Sequence, residues 1–281
     1  MSLTPATPVS GQFEADAMLE QIIQRIDDLE SVVTGELSTY CNAGREELAA
    51  ADRSVRVSVI IPVYNEINTV ARVVSRVAAL PLEKEIVIVD DCSTDGTRDV
   101  LSRLENIPGI RVVYQDHNQG KGAALRTGFE QVTGDIVVIQ DADLEYDPRE
   151  IPGLLTPILR GEAEVVYGSR FIGEEVQDES WIHRFGNGLL TGMSNLFSGL
   201  KLTDMETCYK AFRRDVLGCL QVAQNRFGIE PEVTAKLARR GYRFVEVPIS
   251  YNPRTWKEGK KIGVRDLIKA FYCIGRYGIT D

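Results

Sequence analysis

The sequence has little of what disulfide-bonded, zinc-binding or membrane-spanning proteins need. Its five cysteines include no CxxC pair, and only two histidines are present, His117 and His183. An odd, scattered set of cysteines argues against a disulfide framework, and so few histidines argue against a His-based zinc site. No apolar run reaches about 18 residues, the length that a transmembrane helix requires. We therefore expect a protein of a reducing compartment.

Targeting signals and basic modules are scarce as well. The first residues lack the basic and apolar regions of a signal peptide, so we expect a cytoplasmic protein, soluble or peripheral at the membrane. The net charge is −9, and residues 1–52 hold ten acids and two bases. Seven bases and two acids lie within Arg254–Arg276, an excess that could meet phosphates or anionic lipids. Nothing resembles a nucleic-acid-binding module.

Residues 1–52 and 53–281 differ in character and suggest two regions. In the first, apolar residues recur every three or four positions: Met18, Ile22, Ile26, Leu29, Val33 and Leu37. This spacing predicts an acidic amphipathic helix, which could join a homodimer or pack on its own chain. Residues 53–281 predict one domain, with a nucleotide-binding half at about 53–145 and an acceptor half at about 146–281.

From residue 57 onward, β-branched runs alternate with helical stretches. Strands are predicted at Val57–Val63, Ile86–Asp90, Ile110–Gln115 and Asp135–Gln140. Helices are predicted at Asn68–Leu80, Thr97–Glu105, Gly120–Val132 and Pro148–Arg160. Continuous apolar strands are typical of a parallel sheet that is buried on both faces. The alternation predicts an α/β fold with a doubly wound, mixed but mainly parallel sheet, which binds ligands at the carboxyl ends of its strands.

Polar motifs follow the first two predicted strands. In the first, we expect Pro62 to end the strand, Tyr64 to stack on a nucleobase and Glu66 to accept from a base or ribose. In the second, Asp91 could accept from a base N–H. Turn and cap chemistry is the alternative there, and it explains Asp95 better than Asp91.

A third motif enters a helix through Gly120 and Gly122, with Lys121 between them. Such a glycine-rich entry can hold an anion, and Lys121 could approach a diphosphate. The spacing is not that of a P-loop, so a Walker A site is excluded. The glycines could also serve only a tight turn for helix packing.

The fourth motif is Asp141-Ala142-Asp143, directly after the fourth predicted strand. Two aspartates two residues apart at a strand end can both turn toward one ion. Hard oxygen ligands suit Mg²⁺ or Mn²⁺, which could bridge a nucleotide diphosphate and stabilise it as a leaving group. Such a pair is common by chance, but its place after three other motifs makes it specific.

Together these motifs resemble the family 2 glycosyltransferases of the Rossmann-like GT-A fold. The second half is similar to polyprenyl-phosphate sugar transferases, the relatives of dolichol-phosphate mannose synthase, through Gly168–Arg170, Asp204–Lys210 and Tyr251–Arg254. The resemblance implies a donor-binding set of Pro62, Tyr64, Glu66, Asp91, Lys121, Asp141, Ala142, Asp143, Arg254 and Lys260. Within it, Asp141 and Asp143 would ligate the metal.

The resemblance also implies an acceptor side. Arg170 would bind the acceptor phosphate, Arg184 is a looser match for the same task, and Arg254 would reach the donor diphosphate. Glu145 stands where dolichol-phosphate mannose synthases often carry a Gln ligand, so its role as a ligand stays open. Asp204 lies where the family places an acid, which would act as a base, position substrate or hold the acceptor-side loop. For Glu206, a helix cap or a structural ion pair is the alternative.

The expected activity is inverting transfer of a hexose from a UDP- or GDP-sugar to a polyprenyl phosphate. A sugar hydroxyl in cell-envelope polysaccharide is the alternative acceptor, and it would need Asp204 or Glu206 as general base. A nucleotidyltransferase is disfavoured, because PVYNE stands where such enzymes carry a basic glycine-rich loop. A non-enzymatic binding protein would show no metal-dependent donor hydrolysis.

Overall fold

The computed structural model describes residues 55–172, 181–254 and 264–280. The strands are β1 (Val57–Val63), β2 (Lys84–Asp90), β3 (Ile110–Tyr114), β4 (Ile136–Ile139), β5 (Val165–Ser169), β6 (Lys210–Arg213) and β7 (Phe244–Pro248). The helices are α1 (Val70–Ala78), α2 (Thr97–Leu104), α3 (Lys121–Gln131), α4 (Ile151–Leu159), α5 (Trp181–Ser198), α6 (Arg214–Leu217), α7 (Ile229–Arg239) and α8 (Val264–Ile279). The predicted N-terminal helix, its homodimer contact and Lys260 lie outside the described residues.

The strands form one sheet in the order β3-β2-β1-β4-β6-β5-β7. Parallel pairing joins β3, β2, β1 and β4, and also joins β5 to β7. Strand β6 runs antiparallel to both of its neighbours, β4 and β5. The predicted mixed, mainly parallel sheet is confirmed. Strand β6 has only four residues, with a basic residue at each end, so the hydrophobic pattern of the sequence did not predict it.

The sheet is buried on both faces, as its continuous apolar strands predict. Val59 and Ile61 of β1 pack with Val73 of α1, whereas Ile60, between them, packs with Leu125 of α3. Successive side chains of a strand point to opposite faces, so a fully apolar strand needs helices on both sides. Burial of each large side chain contributes about 1.5–3 kcal/mol. None of the described helices is both long and apolar enough to cross a bilayer.

Pro62 lies inside β1, so the prediction that it ends the strand is wrong. The strand continues to Val63, whose carbonyl accepts from the Asp91 N–H at 2.8 Å. The Ile60 carbonyl accepts from the Gln140 N–H at 2.9 Å. The backbone hydrogen-bonding groups of residue 60, and by alternation those of residue 62, therefore point toward β4. Since β4 ends opposite Ile60, no ladder bond requires a donor at Pro62.

The N-terminus of α3 lies directly against the loop that precedes α7. The Ala123 N–H donates to the Asn225 carbonyl at 3.2 Å, and a Cβ at Gly122 would lie 2.2 Å from the Gln224 carbonyl oxygen. Glu232 of α7 fixes this loop, because its carboxylate accepts from the Gln224 N–H at 2.7 Å. Close backbone approach is therefore the structural reason for Gly122.

We expect Gly122→Ala to lower the free energy of unfolding by about 1–3 kcal/mol, because the added methyl overpacks against a carbonyl. Gly153→Ala in α4 is the matched control, since a Cβ there meets nothing within 4 Å. It should be neutral or stabilising by up to about 1 kcal/mol, as Ala favours helices over Gly. Urea unfolding followed by circular dichroism measures both. Equal stability of Gly122→Ala and wild type would contradict the close approach.

Candidate active site

Three carboxylates from the ends of β1 and β4 converge on one guanidinium. Arg254 Nη1 lies 2.9 Å from Glu66 Oε1, and its Nη2 lies 2.6 Å from Asp143 Oδ2. Arg254 Nε lies 3.4 Å from Glu145 Oε1. Burial opposes the charge of Arg254, but Asp143 and Glu66 outweigh it and raise the pKa of the guanidinium. The structure thus brings residues of the first, fourth and last motifs together.

A sharp turn after β4 aims the acidic residues of the DxD motif. Leu144 has the left-handed φ of 63°, which costs a non-glycine residue about 1–2 kcal/mol. At this turn the Glu145 N–H donates to Asp143 Oδ1 at 3.1 Å. Burial, with the charges of Asp141 and Glu145, raises the pKa of Asp143 to about 7, although Arg254 opposes the rise. The turn therefore carries a surplus of negative charge, which cations from other parts of the chain must neutralise.

Asp141 has a different cationic partner, which comes from the third motif. Lys121, the first residue of α3, places its Nζ 2.8 Å from Asp141 Oδ1 and 2.8 Å from Cys208 Sγ. Glu230 Oε1 of α7 lies 3.7 Å from the same amino group. Burial alone would raise the pKa of Asp141, but Lys121 outweighs it and lowers that pKa. Sequence reasoning found Lys121 and gave no role to Glu230, which lies outside the motifs, or to Cys208, which lies within Asp204–Lys210.

Asp91 and Ala142 have structural roles in the ligand-free protein. The Asp91 carboxylate accepts from the N–H groups of Gln119 and Gly120, both at 2.7 Å, and so holds the entry to α3. Burial is the main cause of its raised pKa. The Ala142 side chain is buried in the core beside Tyr146, so only its backbone can contact a donor. These contacts favour the turn-and-packing alternative for Asp91, and its nucleoside role stays a prediction.

The loops after β1 and β2 are fastened to each other. The Asn65 N–H donates to Ser93 Oγ at 2.9 Å, and Asn65 Oδ1 accepts from the Thr94 N–H at 2.8 Å. The Glu66 N–H donates to Thr97 Oγ1 at 3.0 Å. Half-buried Tyr64 lies at the start of this paired region. The two predicted nucleoside-binding motifs therefore form one rim of the site.

On the acceptor side, Arg170 is paired with Asp204. Arg170 Nε and Nη2 lie 2.6 and 2.8 Å from the two Asp204 carboxylate oxygens, and Asp204 is fully buried. Both candidate acceptor residues approach Phe171, whose ring centre lies 5.6 Å from Arg170 Cζ and 5.9 Å from Arg184 Cζ. Arg170 and Asp204 thus form a structural ion pair with each other, a pairing that the sequence did not predict.

The loop that carries Asp204 is held from β7. Glu246 accepts from the Thr203 N–H at 2.8 Å and from the Asp204 N–H at 3.0 Å. Burial is the main cause of the raised pKa of Glu246. Sequence reasoning missed Glu246, because a charged residue in a half-buried strand carries no signal of the loop it contacts.

Glu206 lies in a buried polar cluster next to this loop. Burial and the charge of Glu230 raise the pKa of Glu206 to about 8, against the opposing charge of Lys210. Its Oε1 has no hydrogen-bond partner within the described part of the chain. Lys210 instead donates to the carbonyls of Met205 and Thr207. Glu206 is therefore protonated near neutral pH, and as such it is a poor proton acceptor.

The donor set of the DxD motif fits a divalent metal ion. Asp141 and Asp143 offer hard carboxylate oxygens, and both have cationic partners in this structure, Lys121 and Arg254. Among the described residues, no group of three or more acidic, histidine or cysteine side chains converges as a closed metal site. Asp141 and Asp143 would hold a Mg²⁺ or Mn²⁺ ion, because such hard cations prefer oxygen ligands.

We expect Glu206→Gln to stabilise the metal-free protein increasingly between about pH 5 and pH 8. The pKa rises from an ordinary 4.5 to about 8 on folding, so wild type loses stability as pH rises through this window. The glutamine variant lacks this loss, which is at most about 1.4 kcal/mol per pH unit.

Urea unfolding at pH 5, 6.5 and 8 measures the difference. Glu162→Gln, at an exposed carboxylate, is the control and should give a constant difference. A Glu206→Gln advantage that stays constant or shrinks toward pH 8 would show that Glu206 is ionised in the fold.

Comparison with known sequences places these features in a family. Residues 58–221 match the family described as Glycosyl transferase family 2. The chain is 32% identical to undecaprenyl-phosphate 4-deoxy-4-formamido-L-arabinose transferase of Edwardsiella ictaluri, over 77% of this chain and 66% of that protein. It is 31% identical to undecaprenyl-phosphate mannosyltransferase of Micrococcus luteus, over 74% and 88%. It is 30% identical to glycosyltransferase AglD of Haloferax volcanii, over 75% of this chain and only 35% of that protein.

Solved structures show the same fold. The protein is similar to glucosyl-3-phosphoglycerate synthase from Mycobacterium tuberculosis in complex with uridine diphosphate, with a TM-score of 0.65 and 20% identity over 88% of this chain and 87% of that one. A complex of the same enzyme with Mn²⁺, uridine diphosphate and phosphoglyceric acid gives a TM-score of 0.63 at 20% identity, over 88% and 85%. The expected GT-A fold is confirmed.

Proposed function

The chain belongs to glycosyl transferase family 2, and from this we propose that it transfers a hexose from a UDP- or GDP-sugar to a polyprenyl phosphate. The transfer inverts the anomeric carbon and uses Mg²⁺ or Mn²⁺. The observation that carries the proposal is the convergence of Glu66, Asp143 and Arg254 at the carboxyl edge of the sheet. Two relatives named as undecaprenyl-phosphate transferases support the lipid-phosphate acceptor.

The donor would lie along the edge formed by β1, β2 and β4. Pro62, Tyr64, Glu66 and Asp91 at the ends of β1 and β2 form the nucleoside side. A metal ion held by Asp141 and Asp143 would supply Lewis-acid stabilisation of the diphosphate leaving group. The diphosphate would then lie between these two residues and the segment after β7.

Arg254 is placed to exchange its carboxylate partners for diphosphate oxygens. Its guanidinium is about one-fifth exposed and already lies 2.6 Å from Asp143. A planar guanidinium binds phosphate oxygens in the same forked way as carboxylates. Lys121 stays with Asp141, because this ammonium also contacts Cys208 and Glu230.

The acceptor side suits a nucleophile that is already ionised. Asp204 is engaged bidentately by Arg170, so both of its carboxylate oxygens already accept from a guanidinium N–H. A phosphate needs no base: one of its oxygens attacks the anomeric carbon while the bond to the donor diphosphate breaks. Arg170 and Arg184, both beside Phe171, would bind that phosphate. The products are a sugar phospholipid and UDP or GDP.

An exposed apolar face on α5 supports peripheral contact with a membrane surface at its cytoplasmic side. Phe185, Leu189 and Leu196 are 68%, 48% and 80% exposed, and their spacing of four and seven residues places them on one helix face. Arg184 precedes them in the same helix. Such a face with an adjacent base is typical of helices that lie in the lipid interface. The lipid phosphate would thus meet Arg184 and Arg170 next to the bilayer.

We expect Asp143→Ala to lower the metal-dependent release of UDP or GDP on the order of 10²–10³-fold, as for removal of a group that stabilises developing charge. Asp99→Asn, at an exposed residue of α2, should leave the rate unchanged. A nucleoside diphosphate release assay with Mn²⁺ and with EDTA measures both. Turnover that survives EDTA would contradict the metal assignment, and release of pyrophosphate would indicate a nucleotidyltransferase.

We expect Arg170→Ala to raise the KM for polyprenyl phosphate in vesicles by about 10–100-fold, the range for loss of a hydrogen bond to a charged group. The KM for the donor should stay within about twofold of wild type. Arg103→Ala, at an exposed residue of α2, is the control. Assays run in parallel with vesicles and with soluble saccharides. Turnover on saccharides alone would favour the alternative acceptor, with Asp204 or Glu206 as base.

A further inference from the structure

Glu145 makes a set of contacts with one distant segment, residues 251–254. Its Oε2 accepts from Tyr251 Oη at 2.9 Å, and its Oε1 accepts from the Arg254 N–H at 3.1 Å. The Glu145 carbonyl accepts from the Asn252 N–H at 2.9 Å, and Arg254 Nε lies 3.4 Å from Oε1. Both carboxylate oxygens and the backbone of Glu145 are therefore committed to this segment.

The segment that Glu145 holds reaches both sides of the site. Arg254 extends from it to Glu66 and Asp143 on the donor side. The Tyr251 ring lies 4.9 Å from Arg170 Cζ on the acceptor side. A guanidinium over an aromatic face is attracted by the negative potential of the ring. One short segment thus contacts residues that are expected to bind each of the two substrates.

The contacts of residue 145 require a carboxylate. A glutamine side chain would offer one carbonyl oxygen and two N–H groups. Here a hydroxyl and a backbone N–H both need an acceptor, and only a carboxylate provides two acceptor oxygens. With glutamine, either the Tyr251 hydroxyl or the Arg254 N–H would face the side-chain amide N–H, which cannot accept a hydrogen bond.

We propose that Glu145 is a positioning residue that fastens the 251–254 segment to the DxD turn, and that Tyr251 extends this tie to Arg170. The inference rests on the proposed function only in taking Arg254 as a donor contact and Arg170 as an acceptor contact. Because one segment holds both, loosening it affects binding of both substrates.

The test compares Glu145→Gln and Tyr251→Phe with matched controls at exposed residues, Glu162→Gln and Tyr272→Phe. The first measurement is hydrogen exchange of the 249–254 peptide in metal-free protein. We expect exchange to rise on the order of tenfold in both test variants, since the segment loses an anchor. The double variant should exchange little faster than Glu145→Gln alone, because both changes break the same tie.

The second measurement is calorimetric titration with Mn²⁺ alone. Positioning predicts that the Mn²⁺ affinity of Glu145→Ala, which lacks any ligand atom in its side chain, stays within about threefold of wild type, in contrast to Asp143→Ala. The third is steady-state kinetics, in which Tyr251→Phe should raise the KM for both donor and acceptor by about three- to tenfold while kcat changes less.

Two results would overturn the inference. A tenfold or greater loss of Mn²⁺ affinity in Glu145→Ala would make Glu145 a metal ligand. Unchanged hydrogen exchange of the 249–254 peptide in both test variants would show that Glu145 and Tyr251 do not hold this segment in place. Hydrogen exchange and calorimetric titration do not require turnover. A wild-type protein that fails to glycosylate polyprenyl phosphate would therefore contradict the proposed function, while these two measurements would still test the role of Glu145.

Discussion

Two cationic side chains make the acidic edge of the sheet possible. Parallel strands bring their carboxyl ends to one edge, and here that edge collects Glu66, Asp141, Asp143 and Glu145 from the ends of β1 and β4. Burying uncompensated carboxylates costs several kcal/mol each, which no nearby packing could offset. Arg254 and Lys121 supply the missing charge. The geometry of the site therefore depends on where these two cations come from.

The two cations stand on different parts of the backbone, and this separates the two aspartates of the DxD motif. Lys121 begins α3 and contacts Cys208 and Glu230 besides Asp141. Arg254 stands on a segment outside the sheet and contacts Glu66 and Glu145 besides Asp143. A ligand that competes for these carboxylates thus meets a cation on a helix at Asp141 and a cation on a connecting segment at Asp143. The raised pKa of Asp143 reflects the same surplus of negative charge.

Local patterns predicted most of the fold and the donor edge, because strand ends and helix entries leave signals within a few residues. They could not predict partners distant in the chain. Arg170 pairs with Asp204 across 34 residues, and Arg254 with Glu66 across 188. Nothing in either segment specifies the other. Pro62 was misjudged for a related reason: whether its missing N–H matters depends on where the neighbouring strand β4 ends.

The proposed nucleotide-binding and acceptor halves differ in the substrate that each is expected to bind, but their strands belong to one sheet. Strand β6 of the acceptor half lies antiparallel between β4 and β5, so the two halves share a hydrogen-bonded ladder. Arg254, from the acceptor half, completes the charge balance of the donor edge. A donor edge without the later strands would lack both its sheet neighbour and its counter-charge. Donor and acceptor groups are thus positioned by the same backbone ladder, so a shift of β6 would move both.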